Sequence, residues 1–292
     1  MTETTDHRYR PQLTHATIDP THLVQAIDAT GTPFDTCIAG ESPLTLYVDK
    51  HEIVTLMTLG SYPELLALGY LRNQQFFSDL NDIKSVQVDI ETHSVSVTTY
   101  RHNTDWENKL ARRTVTTGCG QGTMFGELME NPGSIRAVSV KLRQSYLYEL
   151  LHTLSHANDV YRTAGGVHGC ALCQGTEILA FIEDVGRHNA VDAISGQMWL
   201  EGISGADKLF YTTGRLTSEM VIKTTQMGIP VLLSRSSVTE MGLRLARQAG
   251  LTVITRARGK NFLVFNGAGN IIFDAISEQL HSQKTGDYTT QT

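Results

Sequence analysis

The second half of the chain alternates short apolar runs with stretches of helical period, and this alternation restricts the fold more than any other feature. The runs GGVHGCALC and ILAFIED, separated by the turn Gln174–Gly175–Thr176–Glu177, read as a pair of strands. After them, His188–Leu200 reads as a helix, LFYTT as a strand, Thr217–Met227 as a helix closed by Gly228, and PVLLS as a strand. Thr239–Gln248 is a further helix closed by Gly250, followed by the strands TVITRA and FLVFNG. Strands separated by helices of about 10–12 residues imply parallel pairing through right-handed crossovers. Residues 139–292 therefore read as an α/β/α three-layer domain, introduced by a helix over Ser139–Ala157 and ending in a polar tail from Ser282.

The first half is of another kind. Residues 1–35 show no sustained period and read as an arm or edge segment. SPLTLYVDKHEIV alternates around Asp49–Lys50 as a hairpin, Pro63–Gln74 is a helix with proline in its first turn, and Ser85–Glu91 with Ser94–Arg101 forms a second hairpin. Residues 1–113 thus form an α+β region. Between the halves, residues 114–138 are rich in glycine with little period, which is the mark of a functional loop or of disorder.

Composition excludes several classes. Only 18% of residues are charged, below the roughly 25% of an average soluble protein, so a disordered chain is excluded. No apolar run approaches the roughly 20 residues of a membrane-spanning helix, and the polar N-terminus has no secretory apolar core. The expectation is a cytoplasmic protein. A net charge of −6 argues against a nucleic-acid binder. Four cysteines, at positions 37, 119, 170 and 173, are too few for a disulfide scaffold.

Cys119 lies in TTGCGQG, where glycines on both sides leave a sulfur uncovered, so it is the candidate nucleophile. Cys170 and Cys173 form a C-x-x-C, but on a strand residues three apart point to opposite faces, which favours packing over chelation. The zinc-deaminase pattern H-x-E with P-C-x-x-C is not met, because His168–Gly169–Cys170 supplies neither the glutamate nor the proline. No metal is expected. The run EDVGRHNAVD sets Asp184, Arg187, His188 and Asn189 at a strand-to-helix junction, where free N–H groups attract anions. Three further turns repeat this chemistry: Thr213, Gly214, Arg215 and Ser218 in the first, Ser234, Arg235, Ser236 and Ser237 in the second, Arg256, Arg258 and Lys260 in the third. Hydroxyls and guanidiniums at the carboxyl ends of strands suit a phosphate-bearing ligand such as a nucleotide. There is no P-loop and no G-x-G-x-x-G after a strand, so neither a P-loop hydrolase nor a dinucleotide dehydrogenase is indicated.

Taken together, GGVHGCAL, EDVGRHNAVD, YTTGRLTSEMV, GIPVLLSRSSVTEMGLRLA, TVITRARGKNFLVF and, earlier, ESPLTLYVDKHEIVTLMTLGSYPELLALGYL resemble the FdhD/NarQ family of formate dehydrogenase accessory sulfurtransferases, in the same order over roughly residues 35–270. The resemblance implies a cytidine-deaminase-like α/β/α domain and a homodimer. It implies that sulfur is accepted from a cysteine desulfurase as a Cys119 persulfide. The sulfur is then passed to a molybdenum or tungsten bis-pterin guanine dinucleotide cofactor destined for formate dehydrogenase. That cofactor is cargo, and a guanine nucleotide would mimic it. By the same resemblance Phe262, Leu263, Val264, Phe265, Asn266 and Gly267 match the segment that contacts the cofactor, and Arg215, Arg235 and Arg258 would hold pyrophosphate. His168, or His188 with Asp184, would assist proton movement. Arg187, Thr213, Gly214 and Ser234 complete the expected cofactor site. Many family members carry two loop cysteines as C-G-x-C-G, whereas this chain has one, with Gly122 (or Thr116 in the other register) in place of the second. Two alternatives stay open: a non-catalytic chaperone for the cofactor and a zinc-dependent deaminase-like hydrolase.

Overall fold

The computed structural model describes residues 9–100, 113–116, 122–125 and 140–275, with the backbone alone for 113–116 and 122–125. After a short strand β1 (Gln12–Leu13), strands β2 (Thr21–Ile27) and β3 (Pro33–Ala39) form a two-stranded ribbon. The sequence hides this ribbon, because exposed Leu23, Ile27, Phe34 and Ile38 break the alternation that one wet face would give. Next come β4 (Ser42–Val48) and β5 (His51–Thr58), joined at Asp49–Lys50, then α1 (Pro63–Asn73), β6 (Ile83–Asp89) and β7 (Ser94–Thr99). They build a five-stranded sheet in the order β1-β6-β7-β4-β5. Strands β8 (Arg113–Thr116) and β9 (Gly122–Phe125) pair antiparallel.

The second half opens on a short strand β10 (Leu142–Arg143), not on the helix expected from Ser139, because Leu142 and Arg143 pair with Ile271 and Ile272. Helix α2 (Gln144–His156) and a single turn α3 (Asp159–Thr163) follow. Five residues give no readable period, so α3 escapes sequence reasoning. The remaining elements are β11 (His168–Gln174), β12 (Glu177–Asp184), α4 (Arg187–Glu201), β13 (Leu209–Thr212), α5 (Ser218–Gln226) and β14 (Val231–Ser234). Helix α6 (Glu240–Gln248), β15 (Thr252–Arg258), β16 (Asn261–Asn266) and β17 (Ile271–Ile272) are the last helix and strands among the described residues.

The main sheet runs β12-β11-β13-β14-β15-β16. Only β13–β14 and β14–β15 are parallel; β11 and β16 run the other way. The tight turns at Gly175 and Gly259, both at positive φ, force antiparallel hairpins at these two places, and the crossover from β12 to β13 passes over β11. Helix α2 covers one face of the sheet through Leu147, Leu150, Leu151 and Leu154. Helices α4, α5 and α6 cover the other. This is the three-layer arrangement the alternation predicts. The second core is continuous with the first half of the chain, since Leu46, Leu68, Val95, Ile194 and Leu232 belong to one buried cluster.

Two features lock α1 onto α4. A Cβ on Gly69 would fall 1.6 Å from the Asp192 carbonyl oxygen, and one on Gly196 would fall 2.0 Å from that of Leu65. Only glycines let these backbones approach. Beside this contact, the ammonium of Lys223 on α5 meets Asp192 at 2.7 Å and Glu219 at 3.4 Å, and the Asn73 amide donates to Asp192 at 2.7 Å. Burial alone depresses the Lys223 pKa, but the two carboxylates outweigh it and the net direction is upward; burial raises the pKa of Asp192, and the Lys223 ammonium and the Asn73 amide oppose that rise.

Gly69→Ala is therefore expected to lose about 3 kcal/mol of stability in urea titration, as overpacking pries the helices apart. Lys223→Met is expected to lose about 3–5 kcal/mol, because two buried carboxylates lose their cation. A loss below about 1 kcal/mol in either variant would contradict this packing.

Candidate functional site

The carboxyl ends of β13, β14 and β15 and the start of β11 meet at one edge of the main sheet. Parallel crossovers place the residue after each strand here, and loops that need not complete a ladder can present side chains. The Thr213 amide donates to the Gly169 carbonyl at 2.9 Å and the Arg235 amide to the Thr212 carbonyl at 3.0 Å, which extends the sheet by one residue beneath the loops. The fully buried Ser234 hydroxyl donates to the Gly214 carbonyl at 2.7 Å and accepts from the Ser236 amide at 3.0 Å, bracing two neighbouring turns. Gly214 leaves room for the Arg187 side chain: a Cβ there would lie 2.9 Å from Arg187 Cδ.

Above this floor lie two adjoining cavities. One, of about 270 Å³, is lined by His168, Thr213, Arg235, Ser236 and Arg258 together with Asn158, Tyr161 and Val167. The second, of about 320 Å³, shares Asn158, Tyr161, Arg235 and Arg258 and adds Leu151, Ser155, Arg162, Tyr211, Ala257 and Gly259. No carboxylate lines either cavity among the described residues. The shared wall is the turn α3, whose Val160 and Tyr161 amides donate to the Glu183 carboxylate at 2.8 and 2.9 Å. Glu183 thus neutralises the exposed N–H groups of α3 and fixes Tyr161 over the groove. The groove has guanidiniums for phosphate oxygens, hydroxyls and amides for polar edges, and the Tyr161 ring for a flat heterocycle.

Two titratable side chains that line the groove are shifted away from neutral pH. Burial lowers the His168 pKa, and Arg187 and Arg215 lower it further, so its imidazole is neutral at pH 7. Burial pushes the Tyr211 phenol up to about 12.

Of the residues expected from sequence, His168, Thr213, Arg235 and Arg258 line the groove, with Gly214, Ser234 and buried Arg187 beneath or beside them. Arg215 is exposed at its margin. His188 lies apart from it, buried in the first turn of α4 with Nε2 3.4 Å from Glu219 Oε2. Asp184 is also buried apart: it accepts from the Thr58 hydroxyl and from the amides of Leu59 and Gly186, and so ties β5 to the turn before α4. Strand β16 starts where Asn261 pairs with Arg258 and leads away from the groove toward Asn266. Phe262 and Val264 pack on the α2 face, Leu263 is exposed, and Phe265 packs on the opposite face. Asn266 and Gly267 sit at the far end of β15, where Asn266 donates to the Leu251 carbonyl and Gly267 abuts Thr252. Sequence reasoning passes over Asn158, Tyr161, Arg162 and Glu183; the only signal for them is the density of charge around EDVGRHNAVD and the polar stretch after α2.

Cys170 and Cys173 are fully buried on opposite faces of the sheet, one in each core. Burial pushes both thiols up to about 12, which keeps them protonated, and their divergence prevents them from closing on one metal ion. Cys119 lies outside the described residues. The strands on either side of it in sequence pair with Thr116 opposite Gly122.

Comparison with known proteins agrees with this architecture. A curated protein named sulfur carrier protein FdhD from Listeria monocytogenes serotype 4b is 30% identical over 236 residues, 80% of this chain and 90% of its own length. The protein of the same name from Bacillus subtilis is 29% identical over 226 residues, 77% of this chain and 86% of its own. The crystal structure of a formate dehydrogenase accessory protein from Desulfotalea psychrophila superimposes with a TM-score of 0.70 at 26% identity, covering 86% of this chain and 98% of that one. A family-wide profile described as FdhD/NarQ matches residues 39–272, which span the main sheet, the five-stranded sheet apart from β1, the α1–α4 contact and the whole groove, and the chain therefore belongs to the FdhD/NarQ family.

Proposed function

We propose that the protein is a sulfur carrier for formate dehydrogenase. It takes sulfur from a cysteine desulfurase on Cys119 and delivers it to a bis-pterin guanine dinucleotide cofactor held in the strand-end groove. The observation that carries this reading is the groove itself: arginines at 235 and 258 shared by two adjoining cavities, with no lining carboxylate among the described residues. Its shape and charge suit a ligand with more than one phosphate. The curated relatives' name, sulfur carrier protein, supports the chemistry.

A sulfur carrier needs an accessible thiolate. Cys170 and Cys173 are buried and held protonated, and Cys37 is half-buried on the β2–β3 ribbon. Cys119, flanked by Gly118 and Gly120, is the remaining cysteine. In the proposed first step its thiolate attacks the outer sulfur of the donor's persulfide. A new S–S bond forms on Cys119, the donor's S–S bond breaks, and the donor cysteine leaves as thiolate. One thiol suffices for this step, so the absence of a second loop cysteine leaves it intact. In the groove, Arg235 and Arg258 would neutralise pyrophosphate, Thr213 and Ser236 would donate to its oxygens, and neutral His168 would offer a hydrogen bond without adding charge.

After incubation with a cysteine desulfurase and cysteine, intact mass analysis is expected to show an adduct of about 32 Da, one sulfur atom, on the parent protein and none on Cys119→Ala. Formate dehydrogenase produced beside Cys119→Ala is expected to be inactive; full activity there would refute the persulfide route and favour a chaperone. In nucleotide titrations, Arg235→Ala is expected to weaken guanosine diphosphate binding roughly tenfold and to reduce its salt dependence. Unchanged affinity would remove the groove from the account.

A further inference from the structure

Strand β15 carries an irregularity at the rim of the groove. Ile254 and Ala257 are three residues apart, yet both belong to the core on the α2 face. Uninterrupted pleating would send them to opposite faces. Pairing with β16 locates the mismatch: Thr255 opposes Leu263 and Arg258 opposes Asn261, so β15 takes three steps where β16 takes two. One residue is extra, which defines a β-bulge. Arg256, with φ of 51°, is that residue. Left-handed backbone is costly for a side chain other than glycine, asparagine or aspartate. Among the described residues, the other non-glycine positions with positive φ lie outside strands, at His15, Asp49, Lys50, Gln75 and His93. The Arg256 amide donates to the Ser236 carbonyl at 2.7 Å, tying the bulge to the turn after β14. The neighbouring Thr255 hydroxyl is buried without a partner among the described residues. Strain concentrated in this way is retained where a position is needed.

The bulge has a geometric effect. One extra residue moves everything after it to the other face of the strand. Ala257 thereby packs under the second cavity, and Arg258 reaches the ridge between the cavities and lines both. The Arg256 side chain is exposed and lines neither. We propose that the left-handed backbone at Arg256 is a positioning device that aims the Arg258 guanidinium into the groove, and that the Arg256 charge takes no part in holding the ligand. This rests on the groove being the nucleotide site of the proposed function.

Guanosine diphosphate is the probe, titrated by calorimetry into the full chain and into Arg258→Ala, Arg256→Gly, Arg256→Asn, Arg256→Val and the Arg256→Val/Arg258→Ala double variant. Arg258→Ala is expected to weaken binding roughly tenfold. Arg256→Gly and Arg256→Asn, which tolerate positive φ without the charge, are expected to bind within about twofold of the parent and to melt at the same or a higher temperature. Arg256→Val, which resists positive φ, is expected to match Arg258→Ala, with the double variant no weaker than either. Losses in the glycine and asparagine variants equal to that of Arg258→Ala would overturn the inference and assign a role to the charge, even if the valine variant were recovered unfolded. Additive losses in the double variant would also overturn it. A parent that does not bind the probe, or an Arg258→Ala that binds as the parent does, would instead sink the groove reading, and the inference with it.

Discussion

Helix α4 is gripped from both sides, and the geometry of the groove depends on that grip. On one side α1 presses against it at Gly69 and Gly196, where no side chain fits. On the other it packs against the main sheet through Ala190, Val191 and Ile194. The buried Lys223–Asp192 pair then ties α5 to the same helix. The first turn of α4 carries Arg187, whose side chain passes within a Cβ contact of Gly214 and adds to burial in depressing the His168 pKa. Just before that turn, Asp184 gathers hydrogen bonds from Thr58, Leu59, Gly186 and Asn189. A shift of α4 would reach the floor of the groove directly, and the first hundred residues are thus part of what holds the site in shape.

The groove also shows how an acidic protein could accommodate the anionic ligand proposed for it. The chain has a net charge of −6, yet the two cavities gather Arg162, Arg235 and Arg258 without a lining carboxylate among the described residues. Of the acids beside the groove, Glu183 is spent on the N–H groups of α3, and Asp159 is paired with the Arg162 guanidinium. Net charge governs solubility and long-range steering, whereas binding follows the local field inside a low-dielectric cleft. A neutral His168 and a protonated Tyr211 keep that field steady near neutral pH.

Much of this is legible in the sequence, for physical reasons. The crossover strands LFYT, VLLS and TVIT read clearly because they are buried on both faces and punctuated by Gly228 and Gly250. The strand-end positions of Thr213, Arg235 and Arg258 follow from that reading, since each sits at the end of a recognised strand or just after it. The C-x-x-C also reads correctly as packing, because strand pleating alone separates Cys170 from Cys173. Other features leave no local trace. The β2–β3 ribbon exposes apolar residues on both faces, α3 is a single turn, and the wall it forms over the groove depends on Glu183, which lies more than twenty residues away in sequence. The bulge at Arg256 shows no glycine or asparagine to announce it. The departure of Phe265 to Gly267 from the groove depends on the antiparallel return of β16, a property of topology and not of composition.

Amide hydrogen exchange with and without guanosine diphosphate tests the central claim most directly, because it reads the groove by position. The account predicts slowed exchange in α3, in the turn after β13 at residues 213–216, and in the turn after β14 at residues 235–238, with β16 beyond Phe265 unchanged. Protection confined to β16 and Gly267, with α3 and the two strand-end turns exchanging as in the free protein, would contradict it.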